Sequence, residues 1–372
     1  MERANCLNCG SLLDVSDAEP FSSCVCGACG AKFIIPLVLG NLQIYSLLRD
    51  FGCVSAHEGY DATSGRDALI YLLKTELPDQ PKWRELLERE VAAFERFKRA
   101  NVYPVFGHGE AEGVPYYTAP LAGGVFLDKY VNSPDRRPFK VDTVVEFAAN
   151  LATAMAEAHQ EGWEHHDLCL ENIHIDLGQQ VRVHNFTAAR MRYLYERENQ
   201  LESSVSPYFI SPEKAETREE GTKGDVFSFG VLFYHLLTGQ YPFQSDNELV
   251  TIYSRILGQS RPGQAGSTPY HILINPKAVQ YKEPATPREL RKKVPEEASD
   301  LIMSTLRPRP EERPAFAEIA AVLDHLKPPA APEPAHNLTD SISIPIMKNL
   351  ASSDSVIGEG LKSRRKQWIR FN

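Results

Sequence analysis

Residues 163–190, which read WEHHDLCLENIHIDLGQQVRVHNFTAAR, constrain the fold more than any other stretch of this chain. Apolar and polar residues alternate on both sides of a turn at Gly178, and this pattern predicts two short strands joined as a hairpin. The apolar positions are Ile173, Ile175 and Leu177 in the first strand and Val181 and Val183 in the second. Such a hairpin brings the polar residues 165–167 close to a second polar cluster at 185–187.

These two clusters resemble the catalytic loop and the metal-binding loop of eukaryotic-like protein kinases, which read H-R-D-L-K-x-x-N and D-F-G. The resemblance implies that Asp167 is a remnant of the catalytic base and Asn172 a remnant of a magnesium ligand. It assigns structural roles to His165 and Phe186. Asn185 takes the place of the aspartate that binds the metal.

The same loops depart from the family pattern at three positions. His166 replaces an arginine, Cys169 replaces the lysine that steadies the γ-phosphate, and Asn185 replaces the metal-binding aspartate. A neutral amide is a poor substitute for a carboxylate in binding a hard cation. Each lost electrostatic contact costs about 10²–10³ in rate, so Asn185 and Cys169, together with Tyr71 in place of the family's phosphate-gripping lysine, predict weak phosphoryl transfer or none.

The C-terminal half retains residues that the family uses for architecture. VSPYFISPE at 205–213 resembles the end of an activation segment, and GDVFSFGV at 224–231 resembles the helix that follows it. The resemblance implies that Glu213 pairs with Arg313 and that Asp225 holds the backbone of the catalytic loop. We therefore expect a bilobal α+β protein-kinase-like fold over residues 44–326, with a small β-rich N-lobe and a large helical C-lobe.

The N-lobe sequence has lost most of its nucleotide-binding signature. Residues 45–77 are expected to form its first three strands, but Gly52 alone remains of the glycine-rich loop. In the register that we favour, Tyr71 replaces the phosphate-gripping lysine, and Leu69 replaces the alanine that makes room for adenine. A rival register would put Lys74 in the lysine's role. These positions, together with Asn185, predict a degenerate site for ATP and Mg²⁺.

Helical spacing of apolar residues predicts helices over 81–100 and 141–160, and the family order adds helices at 247–257 and 315–326. Glu90, in the first helix, takes the place of the glutamate that pairs with the missing lysine. We therefore expect its carboxylate to be solvated or bonded to a tyrosine. The hinge strand is expected near residues 116–121, and His174 is expected on the opposite wall of the cleft.

Five of the seven cysteines lie near the N-terminus, and four of them form two C-x-x-C-G motifs. This pattern resembles a zinc ribbon over residues 1–36 and predicts a structural Zn²⁺ bound by four thiolates. The expected ligands are Cys6, Cys9, Cys26 and Cys29. Cys24 is a spare thiol that could compete with Cys26. The alternative is a reduced cysteine-rich tail without structure.

Charge and composition limit the partners. The net charge of −9 disfavours nucleic acid and anionic membranes, and we expect a cytoplasmic protein with protein partners. No run of 18 apolar residues predicts a membrane span. Residues 327–372 begin as a Pro/Ala linker and become Ser-rich, which predicts disorder with a weak basic patch at 363–368.

Three functions fit these patterns. The favoured one is a pseudokinase, a kinase-shaped signalling or scaffold protein with lost or strongly impaired phosphoryl transfer. The second is an active atypical serine/threonine protein kinase that uses ATP and Mg²⁺, which the retained Asp167 and Asn172 support. The third is a zinc-ribbon module that docks a protein partner and is regulated by the kinase-like body.

Overall fold

The computed structural model describes residues 3–6, 8–14, 19–121, 123–134, 137–201, 203–217, 219–243 and 284–327. The predicted helix at 247–257 and nearly all of the predicted tail lie outside these residues. The described chain divides into two compact units, and the second unit begins at Pro36.

The N-terminal unit consists of two short antiparallel hairpins. Its strands are β1 (Arg3–Asn5), β2 (Leu12–Asp14), β3 (Ser23–Val25) and β4 (Lys32–Ile34), paired β1–β2 and β3–β4. Its buried core consists of Cys6, Cys26 and Ile35. So small an apolar core cannot offset the entropy of ordering the chain without a cross-link.

The second unit opens with a six-stranded antiparallel sheet in the order β5-β6-β7-β8-β10-β9. Its strands are β5 (Leu37–Leu39), β6 (Leu42–Asp50), β7 (Val54–Asp61), β8 (Arg66–Leu73), β9 (Gly107–Ala111) and β10 (Val114–Pro120). The apolar run in β8 serves two cores. Leu69, Tyr71 and Leu73 face one core, and Ala68, Ile70 and Leu72 face the other.

The rest of the second unit is mainly helical. The helices are α1 (Gln80–Phe94), α2 (Leu127–Val131), α3 (Val141–Gln160), α4 (Phe186–Glu198), α5 (Pro212–Thr217), α6 (Thr222–Thr238), α7 (Pro287–Leu290), α8 (Glu296–Thr305) and α9 (Phe316–Leu326). α6 is buried on all sides from Gly224 to Leu237, in agreement with its mainly apolar sequence. A helical C-lobe thus follows a curled β-sheet, as the kinase resemblance implied.

A small three-stranded sheet carries the loops of interest between the two lobes. Its strands are β11 (Gly124–Phe126), β12 (Ile173–Asp176) and β13 (Val181–Val183). The predicted hairpin forms, but the prediction that Leu177 continues the strand is wrong. The Asp176 carboxylate accepts the Gln180 amide and begins the turn there, so Leu177 is left 72% exposed.

The first long helix is shorter than the predicted range 81–100, because α1 ends at Phe94. The amide of Phe97 donates to the carbonyl of Phe94 in a tighter turn, and the Phe97 side chain then enters the core. Burial of this ring directs the chain away from the helix axis. Helical spacing alone could not reveal this change of direction.

Arg313 and Glu213 form a bidentate ion pair, with both N–O distances at 2.8 Å. The Arg313 guanidinium also donates to the backbone carbonyls of Arg307, Pro308 and Lys223, so all of its nitrogens have partners. It is 2% exposed. This pair joins the end of the activation segment to the chain before α9.

The substitution Arg313→Ala should lower the free energy of unfolding by about 3–5 kcal/mol, because it removes the bidentate ion pair with Glu213 and leaves three backbone carbonyls without their donor. Urea unfolding would measure the change. Arg309→Ala is the matched control, since that exposed side chain makes a weak ion pair with Glu312 at 3.5 Å and its loss should change stability by less than about 0.5 kcal/mol. Equal midpoints for Arg313→Ala and the wild type would contradict the prediction.

Candidate active site

The carboxylate of Asp225, in the first turn of α6, organises the loop at 165–167. It accepts the backbone amides of His165 and His166 at 2.7 and 2.8 Å, and Nε2 of His159 lies 2.9 Å away. Burial of this group raises its pKa, but the contact with His159 lowers the pKa below that of a free aspartate. A buried ionised carboxylate therefore fixes the backbone on which Asp167 stands.

Asp167 is fully enclosed and is bound by groups from three elements. Arg49 of β6 donates to its Oδ2 at 2.8 Å, and Asn172 Nδ2 donates to the same oxygen at 2.8 Å. Arg192 of α4 forms an ion pair at 3.0 Å, although its angle lies outside hydrogen-bond geometry. All three of these contacts are to Oδ2, and the other carboxylate oxygen, Oδ1, has the buried Cys169 thiol 3.5 Å away.

The charge state of Asp167 follows from these neighbours. Burial raises the pKa of the carboxyl group, but Arg192 and Arg49 outweigh burial and hold the pKa at about 2. The group is therefore ionised at neutral pH. Its negative charge is balanced inside the protein by Arg49 of β6 and by Arg192 of α4 in the activation segment.

Tyr71, Asn185 and Asn172 form a continuous hydrogen-bonded chain. The Tyr71 hydroxyl donates to Asn185 Oδ1 at 2.5 Å, and Asn185 Nδ2 donates to Asn172 Oδ1 at 2.8 Å. That same Asn172 oxygen accepts from Arg49 at 2.7 Å. Burial raises the pKa of Tyr71 and keeps its hydroxyl protonated as a donor. The side chains at the positions of the phosphate-gripping lysine and of both metal ligands are thus hydrogen-bonded to one another.

The turn between β6 and β7 fills space that a glycine-rich loop leaves open. Phe51 is fully buried, and the guanidinium carbons of Arg49 and Arg192 lie 4.8 and 5.7 Å from its ring centroid. Gly52 has φ +79°, a conformation that glycine adopts without strain, and its amide donates to the Asp50 side chain. The aromatic ring therefore points into the protein between two cations.

Little room remains beside these residues. The Tyr71 ring stacks on Tyr117, with ring centroids 4.3 Å apart and planes at 4°. A cavity lined by Tyr71, Tyr117, Ala119 and Asn185 has a volume of about 10 Å³, roughly the space that one water molecule needs. Leu69 lies on the same face of β8 as Tyr71 and is buried.

His174 and His184 form an aromatic cluster on the other side of the cleft. Both side chains are buried, and their ring centroids lie 5.1 and 5.0 Å from that of Phe126. Burial lowers the pKa of each imidazole, so both rings are neutral at physiological pH. This wall offers apolar ring surface and no positive charge for a phosphate.

Lys74 does not enter the site. It follows the end of β8, and its Nζ lies 2.7 Å from the Asp50 carboxylate at the surface. Tyr71 instead pairs with Ala56 and Tyr117 on the neighbouring strands and points inward. The structure therefore has the register with tyrosine, not lysine, at the inward position.

The activation segment contains a helix that the sequence did not predict. α4 begins directly after Asn185, which adopts the left-handed conformation (φ 67°) that asparagine tolerates better than most residues. The sequence FTAARMRYLYERE is polar and has only a weak amphipathic pattern. One signal was available: Arg192 and Glu196 are spaced i,i+4, as in a helical ion pair, and their side chains are 3.8 Å apart.

The prediction that the Glu90 carboxylate is solvated or bonded to a tyrosine is wrong. Glu90 is buried, and its carboxylate forms an ion pair with Nε of Arg190 at 2.9 Å. Arg190 belongs to α4, whose position depends on tertiary packing of Tyr195 against Trp83 of α1. The partner of Glu90 therefore comes from the unpredicted helix.

In the N-terminal unit, the Sγ atoms of Cys6, Cys9, Cys26 and Cys29 all lie within 4.8 Å of one another. The Cys6–Cys29 and Cys9–Cys26 pairs are each 3.8 Å apart. Four sulfurs about 2.3 Å from a tetrahedral metal would be about 3.8 Å apart, so this donor set fits a structural metal. Cys24 packs beside this cluster.

Each pair of cysteines lies on a tight turn closed by a glycine. The amides of Gly10 and Gly30 donate to the carbonyls of Cys6 and Cys26, both at 2.8 Å. Both glycines have positive φ, at 71° and 73°. The sequence thus places glycine where the chain must adopt the left-handed conformation.

Comparison with known proteins identifies the family. A model of the protein kinase domain matches residues 50–325. This chain belongs to the protein kinase family. The kinase resemblance of the two loops is thereby confirmed, and the kinase domain occupies most of the second unit.

Curated relatives of this kinase domain carry serine/threonine-kinase names. The serine/threonine-protein kinase PksC of Streptomyces coelicolor is 26% identical over 289 residues, which cover 75% of this chain and 47% of the relative. The probable serine/threonine-protein kinase PknB of Lactococcus lactis is 25% identical and covers 73% and 44%, respectively. The chain spans about half the length of the curated relatives that it matches.

Among solved structures, the PknI kinase domain of Mycobacterium tuberculosis aligns with a TM-score of 0.54 at 14% identity. The alignment covers 79% of this chain and 98% of that one. This likeness supports the kinase fold. In the described part of the chain, no helix combines the length and the apolar composition needed to cross a membrane.

The ion pairs of Asp167 should make stability depend on pH at the acid end. Its folded pKa of about 2 lies below the unfolded value of about 3.9, so its contribution is present above pH 4 and is lost as the pH falls towards 2. Between pH 5 and pH 2, the gap in unfolding free energy between wild type and Asp167→Asn should shrink by about 2 kcal/mol.

Urea unfolding at several pH values would measure this gap. Asp300→Asn serves as the control because that side chain is exposed and should follow the wild-type curve. A constant gap between wild type and Asp167→Asn across the range would show that Asp167 is not held ionised by its arginines.

Proposed function

We propose that this kinase domain serves as a kinase-fold signalling or scaffold protein in which phosphoryl transfer is lost or strongly impaired. The observation that carries the proposal is the closed network at Asp167. Its carboxylate is buried, with Arg49 and Arg192 at Oδ2 and the Cys169 thiol 3.5 Å from Oδ1, so these groups would have to move before a substrate hydroxyl could reach it. General-base catalysis requires such access.

The residues present also fit ATP and Mg²⁺ poorly. Charge neutralisation in phosphoryl transfer comes mainly from the metal and from a lysine. At those positions Asn185 and Tyr71 are neutral and are bonded to each other. A metal bound by Asn185 Oδ1 and Asn172 Oδ1 would have to displace the Tyr71 hydroxyl from the first oxygen and the Asn185 amide and Arg49 from the second. We derive no catalytic step through ATP or Mg²⁺ for this reason.

A second candidate function is an active serine/threonine protein kinase. The names of the curated relatives favour it, and so does the retention of Asp167 and Asn172. In this case α4 would have to withdraw Arg192 from the carboxylate before transfer. The two candidates differ in what limits the reaction: the missing lysine and aspartate in the first, and the position of α4 in the second.

One variant separates the two candidates. Arg192→Ala removes the α4 cation from Asp167. It leaves Tyr71 and Asn185 in place, so the lysine and the aspartate of the family pattern are still missing. The first candidate predicts no transfer of radiolabelled phosphate by the wild type, by Arg192→Ala or by Asn185→Asp alone. It also predicts no rise in melting temperature with about 1 mM ATP and Mg²⁺, because ligand binding must raise apparent stability.

Two further variants make the assay decisive. Arg197→Ala is the matched control for Arg192→Ala, since it removes an exposed arginine of α4 that pairs with Glu219. Transfer by the wild type or by Arg192→Ala, but not by the same protein carrying Asp167→Ala, would replace the first candidate with the active kinase. Circular dichroism would check that each variant is folded.

We also propose that the N-terminal unit is a zinc ribbon. The four-sulfur donor set and its spacing support Zn²⁺, which would act as a structural cross-link. The amides of Ala28 and Cys29 face the Cys26 sulfur, and Asn8 Nδ2 donates to Cys29 Sγ at 3.5 Å. Such donors stabilise thiolate ligands. A ribbon of this kind suits docking of a protein partner under control of the kinase domain.

Metal analysis of protein purified without chelator should give about one zinc per chain, as expected for a four-cysteine site. The double variant Cys6→Ser, Cys29→Ser should release the metal and unfold the N-terminal unit, while urea unfolding of the kinase domain should be unchanged. Cys24→Ser is the control and should retain zinc. Substoichiometric zinc in the wild type would refute the site.

A further inference from the structure

A groove of about 480 Å³ lies on the surface of the kinase domain, away from the network at Asp167. It is bounded by the end of α1, by the turn that precedes the catalytic-like loop, and by the start of α4. Four arginines line it: Arg89, Arg96, Arg99 and Arg190. Only two glutamates line it, so the groove is basic on a chain whose net charge is −9.

Two of these arginines are already engaged. Arg190 pairs with the buried Glu90 at 2.9 Å, and Arg99 pairs with Glu157 at 3.1 Å and with Glu161 at 3.5 Å. These pairs neutralise both glutamates of the groove. The positive charge that remains is on the other two arginines.

Arg89 and Arg96 are exposed and available. Arg89 makes one weak ion pair, with Glu90 at 3.4 Å, and its side chain is 71% exposed. Arg96 has neither a hydrogen bond nor an ion pair through its guanidinium with any residue that the structure describes. Arg89 lies in α1 and Arg96 lies two residues beyond its end, so five helical steps and a tighter turn separate their backbone positions by roughly 10 Å.

The floor of the groove is aromatic. Trp163 is half-buried, with the Arg190 guanidinium 5.5 Å from its ring, and the Arg99 guanidinium lies 4.9 Å from the Phe97 ring. These stacked cations hold the walls in place. A ligand would therefore meet two exposed guanidinium groups at the rim and apolar ring surface beneath them.

We propose that this groove docks an extended acidic segment of a partner protein. A carboxylate binds an arginine through two parallel hydrogen bonds, which makes such contacts both strong and directional. A peptide in the extended polyproline II conformation rises about 3.1 Å per residue and repeats every three residues. Acidic side chains at i and i+3 then lie on one face about 9 Å apart, which matches the spacing of Arg89 and Arg96. An apolar side chain between them would pack on Trp163.

Charge and the aromatic floor favour a peptide over other anions. A single phosphate has no apolar group for the Trp163 ring, whereas a peptide can place an apolar side chain there beside its carboxylates. Nucleic acid and anionic membranes present long arrays of charge, which the net charge of −9 would repel. This inference goes beyond the proposed function and does not depend on whether phosphoryl transfer is retained.

Fluorescence anisotropy with the full chain tests the proposal. The probe is a labelled synthetic peptide with glutamates at positions i and i+3 and leucine between them. A second peptide has glutamine at both positions. We expect saturable binding of the glutamate peptide, at least about tenfold weaker binding of the glutamine peptide, and a similar loss for Arg96→Gln and for Arg89→Gln.

Arg309→Gln is the control variant, because it removes an exposed arginine outside the groove, and it should bind the glutamate peptide as the wild type does. The proposal is overturned if the two peptides bind equally or if Arg96→Gln and Arg89→Gln bind like the wild type. It is also overturned if inorganic phosphate or phosphatidylserine vesicles bind the wild type, and Arg89→Gln and Arg96→Gln weaken that binding but leave peptide binding unchanged. Both groove arginines are exposed, so their variants should fold, and circular dichroism would verify this.

Discussion

The closed state of this kinase domain depends on one buried carboxylate. An ionised group without solvent costs several kcal/mol unless its charge is balanced, and Asp167 is balanced by Arg49 and Arg192. These cations come from the N-lobe sheet and from the activation segment. Both must stay near Asp167 for the charge to be tolerated, so a single electrostatic requirement joins the lobes and holds α4 against them.

The losses at the nucleotide site compensate one another. The family pattern has a lysine and an aspartate where this chain has Tyr71 and Asn185. Replacing either charged residue alone would leave an unpaired charge in a buried place, which is far more costly than losing both. Here a neutral hydroxyl donates to a neutral amide at 2.5 Å. The side chains of Tyr71 and Asn185 are therefore hydrogen-bonded to each other in the interior, while the charges that bind a nucleotide and its metal are absent from these two positions.

The parts of the structure that were predictable from sequence depend on local patterns. The hairpin β12–β13 follows from alternation around Gly178, and the kinase fold follows from motifs in their family order. The closure of the site was not predictable. Arg49 and Arg192 lie 118 and 25 residues from Asp167 in sequence, and nothing in their spacing marks them as its partners. Because the sequence did not predict α4, it also did not reveal Arg190 as the partner of Glu90.

The two arginines of α4 show why its displacement would be cooperative. Arg190 binds Glu90 of α1, and Arg192, two residues later, binds Asp167 of the C-lobe. A displacement of the whole helix would break both contacts together, since both depend on the same placement of its axis. Their energies are therefore coupled rather than additive. An event that drew Arg190 away from Glu90 would also weaken the hold on Asp167, and the surface of Arg190 faces the basic groove.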